Sequence, residues 1–239
     1  MNSVIKQIYD SGFVEDAQGN KLPHEGSSIT AETGGMLYDF IRKTRPRATL
    51  EIGMAYGLST LFICQALYDN GTGHHSAIDP FEQGKYQSIG LLNLERANLK
   101  SLLRFFNATS RDVLPQICTQ GERFDFAFID GSHFFDYVLV DFFYIDRMLD
   151  IGGHIAFDDI WMPAVRKAVS FVLRNKPYRI VRPPSNDSTT VWRHMLRTWR
   201  RIFQNPFGRD WRLKIIPQNV AFVEKVGEDN RHWEDYRAF

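Results

Sequence analysis

A chain of 239 residues, 44% hydrophobic and 24% charged, can bury a sizeable core as one generous globular domain, or as one domain with an appendage. Its two cysteines, Cys64 and Cys118, cannot form a disulfide framework, and neither an apolar run of about 18 residues nor a basic start followed by an apolar stretch is present. These features argue against a membrane span or a secretory leader and point to buried free thiols in a cytoplasmic setting. The net charge of +1 excludes nothing by itself, but seven Arg and Lys stand against two Asp from Asp187 to Lys214, a local basic patch.

Along the chain, strand-length apolar runs alternate with helix-length amphipathic segments. This pattern predicts an α/β fold: a doubly wound, mostly parallel sheet with helices on both faces. The flank Met1–Ser28 is ambiguous and reads as an exposed N-terminal segment, 1–29. A helix near Thr30–Lys43 leads into a strand at Ala48–Ile52 and a helix at Leu58–Tyr68. Next come a strand at His75–Asp79, a helix at Gln87–Leu103 and a strand at Arg104–Asn107. A helix at Asp112–Thr119, a strand at Phe124–Asp130 and a helix at Phe135–Leu149 follow. Gly152-Gly153 marks the turn into a strand at His154–Asp158, and Pro163 fits the first turn of a helix at Pro163–Asn175.

Tyr178–Arg182 and Val220–Val226 read as closing strands, and the interval Pro183–Pro217 between them is too long for an ordinary connection. Within it, Pro183-Pro184-Ser-Asn-Asp-Ser reads as a loop. Val191–Phe203 reads as a helix with Trp192, Met195, Trp199 and Ile202 at roughly helical spacing and arginines elsewhere around it. The expected organisation is a core over 30–182, a basic Trp-containing insertion or lid over 183–217, and a closing strand with a tail over 218–239.

The stretch Thr49–Thr60 is a short strand, a glycine-bracketed turn and a helix start, an arrangement that holds a small anionic or nucleotide-like ligand. Its spacing, Glu51-x-Gly53-x-x-x-Gly57, is neither the Gly-x-Gly-x-x-Gly that grips pyrophosphate nor the Gly-Lys-Ser/Thr of NTPases, and it favours a nucleoside carrying a free carboxylate. Ligands in such sheets bind outside the carboxyl ends of the strands, near the point where strand order reverses. The acids at strand ends are Glu51, Asp79, Asp130, Asp158 and Asp159. Taken singly, each could be a helix cap or a solvated turn residue. Asp79 is positioned to accept from ribose hydroxyls, and it could equally initiate an Asp-Pro turn with Pro80. Asp130, Asp158 and Asp159 converge on neighbouring strand ends and suit Mg²⁺ or a similar hard cation. His133, in Asp130-Gly-Ser-His133, can take a proton near neutral pH at the same rim; the bland reading is a surface histidine at a helix start.

At this point the residues carry a resemblance. Thr30-Ala-Glu-Thr-Gly-Gly-Met-Leu37, Leu50-Glu-Ile-Gly-x-x-x-Gly-x-Ser59, Ala77-Ile-Asp-Pro80, Ser110-Arg-Asp-Val-Leu-Pro115, Phe126-x-x-Ile-Asp-Gly-Ser-His133 and Gly152-Gly-x-x-x-x-Asp-Asp159 occur in order. Over about 30–182 this set resembles the class I S-adenosylmethionine-dependent methyltransferases, and within them the metal-dependent O-methyltransferases of catechol and caffeoyl-CoA type. The resemblance implies a seven-stranded, Rossmann-like methyltransferase sheet and the cofactor S-adenosylmethionine. It implies a cofactor set of Glu51, Gly53, Gly57, Ser59, Asp79, Ser110, Arg111 and Asp130, in which Ser59 meets the methionine carboxylate and Ser110 and Arg111 flank the adenine. It also implies Asp130, Asp158 and Asp159 as ligands of a divalent cation such as Mg²⁺; the residues themselves, rather than the resemblance, offer His133 as the candidate general base.

Two positions depart from that type, which carries Lys at His133 and Asn at Asp159. An Asp-x-x-His pattern with several acids is similar instead to metal-dependent methyltransferases of macrolide sugars. That similarity implies methyl transfer to a sugar or natural-product hydroxyl rather than to an aromatic diol. Two other readings stand beside it. One is a metal-independent enzyme acting on an amine. The other is a non-catalytic S-adenosylmethionine-binding protein whose basic helix, within 191–214, contacts a membrane surface or acidic partner. Nucleic acid is not favoured, because the rest of the chain is net negative. Self-association is left open.

Overall fold

A computed structural model describes residues 2–182, 213 and 219–239. Asn2 caps helix α1 (Ser3–Ser11) by accepting from the Val4 amide, and Ile5 and Ile8, three apart on one face, are buried. A two-stranded antiparallel hairpin follows, β1 (Phe13–Glu15) and β2 (Lys21–Pro23). Far from being an exposed flank, this stretch is docked. Val14 is buried, and Arg96 donates to the carbonyls of Glu15 and Asp16 at 2.7 and 3.0 Å. Asn2 also reaches Gln65 and the Ala97 carbonyl.

Thr30 caps helix α2 (Ala31–Thr44) through the Thr33 amide. The chain then alternates through β3 (Ala48–Ile52), α3 (Leu58–Asn70), β4 (His74–Ile78), α4 (Ile89–Arg96), β5 (Leu103–Phe106), α5 (Ser110–Thr119), β6 (Phe124–Ile129), α6 (Phe135–Met148), β7 (Leu149–Phe157), α7 (Pro163–Asn175), β8 (Tyr178–Val181) and β9 (Ala221–Lys225). The expected elements are present, with three differences. The helix expected over Gln87–Leu103 splits, because Asn98 takes a left-handed conformation (φ 56°) between α4 and a 3₁₀ turn at Lys100–Leu102. The helix expected from Asp112 starts at Ser110. Gly152-Gly153 is not the turn before β7 but lies within it: Leu149 pairs with Phe124 and His154 with Phe126, so the strand carries a bulge there.

The seven strands lie in the order β5-β4-β3-β6-β7-β9-β8. Strands β3 to β7 are parallel, and β9 runs antiparallel to both β7 and β8. Strand β6 shows how the faces are divided. Phe126 and Phe128 pack into the core shared with α1 to α4, whereas Ala127 and Ile129 pack into the core shared with α5, α6 and α7. Strands buried on both faces need continuous apolar runs, which is why β3 and β6 read so clearly. The sheet order reverses between β3 and β6, and a crevice opens there at the carboxyl ends.

No described helix is long and apolar enough to cross a membrane. The expected loop from Pro183, the helix Val191–Phe203 and the basic patch fall outside the described residues, except for Leu213, which is buried in the core. Cys64 is buried as expected, but Cys118 is only half-buried.

Candidate functional site

The floor of the site is the turn after β3. Gly53 has φ 90°, and a Cβ there would lie 2.2 Å from the Asp130 carbonyl oxygen, so only glycine lets the ends of β3 and β6 come this close. Gly57 starts α3 with φ 76°, and a Cβ on it would meet the Gly90 backbone at 3.0 Å. No side chain caps α3, so its first amides are left for a ligand. Asp79, just beyond β4, accepts from the Met54 and Ala55 amides through Oδ2 (2.9 and 2.8 Å) and from the Phe81 amide through Oδ1 (2.7 Å). Asp79 therefore fixes the turn as well as facing the cavity.

Beside this turn lies a cavity of about 700 Å³ along the carboxyl ends of β3, β4, β6 and β7. Its near end is lined by Gly53, Met54, Ala55, Leu58, Ser59 and Asp79, with Ser110 and Arg111 at the start of α5. Its opposite wall is the segment Gly26–Thr30, held by a hydrogen bond from the Tyr9 hydroxyl to the Ile29 carbonyl (2.9 Å). Its far end is acidic, with Asp130, His133, Asp158 and Asp159.

At that end the side chains of Asp130, His133 and Asp159 each offer one ligand atom within 4.8 Å of the others. His133 Nε2 stands 3.1 Å from Asp159 Oδ2 and 3.4 Å from Asp130 Oδ1, yet this buried atom makes no hydrogen bond. The facing carboxylates, Asp130 first, push the imidazole up to about 10. Burial pushes Asp130 up to about 6, although His133 opposes the shift. Burial raises Asp159 too, but His133, Asn219 and Trp161 outweigh it and hold this carboxyl below its usual range. Burial, followed by the charges of Asp130 and Asp159, pushes Asp158 up to about 8.

Ligands about 2.1 Å from a hard octahedral cation lie about 3 Å apart when adjacent, close to the spacings of His133 from the two carboxylates. Carboxylate oxygens suit Mg²⁺ or Mn²⁺ and an imidazole nitrogen suits softer divalent ions such as Fe²⁺ or Zn²⁺, so two carboxylates around a buried ring nitrogen without a hydrogen bond fit a divalent ion. The side-chain cluster is not the same trio as the expected ligands. His133 joins Asp130 and Asp159, while Asp158 lines the cavity without belonging to the cluster.

Of the other expected residues, Gly53, Ser59, Asp79, Ser110, Arg111 and Asp130 line the cavity. Glu51 and Gly57 do not. Glu51 is fully buried under α3, where it accepts from Thr60 Oγ1 at 2.5 Å and faces His75 Nε2 at 3.0 Å. Gly57 faces α4 through Gly90. Sequence reasoning missed Asn219, whose Nδ2 donates to Asp159 Oδ1 at 2.6 Å and approaches Asp158 Oδ1 at 3.4 Å. It also missed Asp141, a buried cavity-lining acid pushed up to about 6 by desolvation. The signal for Asn219 was available: a closing strand antiparallel to its neighbours starts, rather than ends, at the ligand rim.

The sheet order and the cavity at its switch point define a Rossmann-like methyltransferase fold. Residues 50–160 match the family model described as a methyltransferase domain. The chain is 28% identical over 165 residues to a caffeoyl-CoA O-methyltransferase of Populus kitakamiensis, covering 66% of this chain and 65% of that protein. It is 29% identical over 128 residues to a catechol O-methyltransferase of Niastella koreensis, covering 51% of this chain and 56% of that protein. The chain thus spans less than two thirds of the length of these curated relatives.

Among solved structures, the O-methyltransferase from Bacillus cereus in complex with SAH superposes with a TM-score of 0.61 at 21% identity, covering 76% of this chain and 83% of that one. The O-methyltransferase TomG from Streptomyces achromogenes, in complex with SAM, gives 0.65 at 15% identity, covering 95% and 91%. At those identities the structural likeness establishes the fold. By sequence, the chain is similar over part of its length to caffeoyl-CoA and catechol O-methyltransferases.

Proposed function

We propose that the protein transfers a methyl group from S-adenosylmethionine to a hydroxyl of a small molecule, of sugar or natural-product type, with a divalent cation such as Mg²⁺ at Asp130, His133 and Asp159. The observation that carries this reading is the continuity of one cavity from the glycine turn to the acidic cluster. The methyl donor supplies an electrophilic carbon on a sulfonium. The cation, when bound, supplies positive charge that lowers the pKa of a nearby hydroxyl.

The chain's own residues do the positioning. Ser59 and the uncapped amides of α3 receive the carboxylate of the methionine part. An ionised carboxylate offers about four acceptor sites, and three of those on Asp79 are filled by amides, which leaves one for a ribose hydroxyl. Ser110 and Arg111 border the adenine end. Holding the hydroxyl oxygen in line with the methyl carbon is the main task, and positioning of that kind is worth roughly 7–11 kcal/mol. Without a cation, His133 Nε2 keeps its proton, because two carboxylates face it. A ring nitrogen that holds the cation cannot also take a proton, so His133 takes the hydroxyl proton only where Asp130 and Asp159 hold the cation without it.

The free thiols Cys64 and Cys118 support a reducing, cytoplasmic setting. The test is a screen of sugar and polyphenol hydroxyls with labelled S-adenosylmethionine, with and without chelator, on the wild type and on Asp130→Ala. Turnover should require both the cation and Asp130; turnover undiminished by chelator and by the substitution would sink the cation's role.

A further inference from the structure

Asp159 occupies a left-handed backbone conformation (φ 52°), uncommon for a non-glycine residue though better tolerated by Asp than by most, and its surroundings hold it there. Those surroundings are specific. Strand β9 runs antiparallel to β7, so the residue before it arrives at the rim where β7 ends. That residue is Asn219, and its carbonyl accepts from the Ile160 amide at 3.0 Å, which fixes its backbone beside the acid pair. Its Nδ2 donates to Asp159 Oδ1 at 2.6 Å, and Trp161 Nε1 donates to the same oxygen at 2.8 Å. The two oxygens of one carboxylate are therefore treated differently: Oδ1 is held by two donors, while Oδ2 faces His133 Nε2 at 3.1 Å, inside the cluster. Asn219 Nδ2 also lies 3.4 Å from Asp158 Oδ1, so one neutral amide approaches both adjacent acids.

We infer that Asn219, assisted by Trp161, is a positioning residue that pins one oxygen of Asp159 and so presents the other to the cation. The inference rests on the cation site proposed above. Groups that orient a ligand carboxylate from behind set metal affinity without touching the metal. Asn219 also lines the cavity with a buried Oδ1 that has no partner, an unmet acceptor of the kind that folds tolerate where a ligand comes.

The test is titration of the full-length protein with Mn²⁺, reading free Mn²⁺ by electron paramagnetic resonance, for the wild type, Asn219→Ala and Trp161→Phe. Melting temperature and S-adenosylhomocysteine affinity are measured on the same samples. Asn219→Ala should weaken Mn²⁺ binding by about 10–100-fold, leaving S-adenosylhomocysteine affinity and melting temperature unchanged. Trp161→Phe should weaken Mn²⁺ binding by a smaller factor. If Asn219→Ala lowers the melting temperature, Trp161→Phe, which leaves the backbone contact intact, supplies the reading. Wild-type Mn²⁺ affinity in both variants would overturn the inference while leaving the cation site standing. A wild-type protein that binds no Mn²⁺ would remove the site itself and the inference with it.

Discussion

His133 shows how far one side chain is set by its neighbours. Two carboxylates facing Nε2 push the imidazole up to about 10, so in cation-free protein it should stay protonated throughout the neutral range. Nuclear magnetic resonance titration of the ring should find it charged at pH 8, and Asp130→Asn or Asp159→Asn should bring its midpoint back toward about 6.5. A ring that titrates near 6.5 in the wild type would contradict the geometry. Gly53 is constrained by backbone rather than charge. With φ 90° and the Asp130 carbonyl 2.2 Å from where a Cβ would stand, Gly53→Ala should cost more than the roughly 1–3 kcal/mol of backbone strain alone. Urea unfolding measures that cost, and a loss below about 0.5 kcal/mol would show that the turn relaxes freely.

The strand-end acids Asp130, Asp158 and Asp159 could be read because each follows an apolar strand. Glu51 stands on the same kind of strand but lies outside the cavity lining. It sits one residue before the end of β3, and side chains alternate along a strand, so it faces α3 rather than the rim.

At the level of elements, Glu51 joins β3 to β4 and α3. His75 Nε2 and Thr60 Oγ1 both meet its Oε2, and His75 Nδ1 pairs with Thr49 Oγ1 at 2.8 Å. Glu51→Ala leaves two buried groups without their partner, at about 1–3 kcal/mol each. Thermal unfolding should therefore show a clear loss of stability, while S-adenosylhomocysteine affinity in the folded fraction stays unchanged. A selective loss of cofactor affinity with normal stability would return Glu51 to the cofactor site.

Element types followed from periodicity, but details set by pairing between strands did not. The start of β7 at Leu149 depends on a bulge opposite Phe124 and Phe126, and nothing local to Gly152-Gly153 announces it. Helix α1 was missed because nine residues with two buried isoleucines give a faint pattern. Its stability comes from packing on the rest of the molecule rather than from its own sequence.

Across the whole molecule, residues distant in the chain close the structure around the sheet. Asn175 exchanges two hydrogen bonds with the Arg237 backbone, at 2.9 and 2.8 Å, and the Phe239 ring stacks on Phe135. Asp229 bridges Lys176 and Arg231, both at 2.7 Å. Arg231, with Lys176 behind it, holds the Asp229 carboxyl well below the usual range against partial burial. A depressed carboxyl stabilises the fold above its unfolded pKa of about 3.9, and that contribution is lost as pH falls below it. Asp229→Asn should therefore lower the melting temperature slightly at neutral pH, and by progressively less as pH falls below about 3.9. An effect of equal size across that range would contradict the pairing. Such long-range closure could not be read from the sequence, because it depends on which surface residues meet after folding.

On the function proposed above, one cavity holds a methyl donor at the glycine turn and a divalent cation at the acidic cluster. Calorimetric titration with S-adenosylhomocysteine and then Mg²⁺, on the wild type and on Asp159→Ala, tests it most directly. One S-adenosylhomocysteine per chain should bind to both proteins with or without Mg²⁺, and one Mg²⁺ should bind to the wild type only. Failure of the wild type to bind S-adenosylhomocysteine, or Mg²⁺ binding that survives loss of the Asp159 carboxylate, would contradict the account.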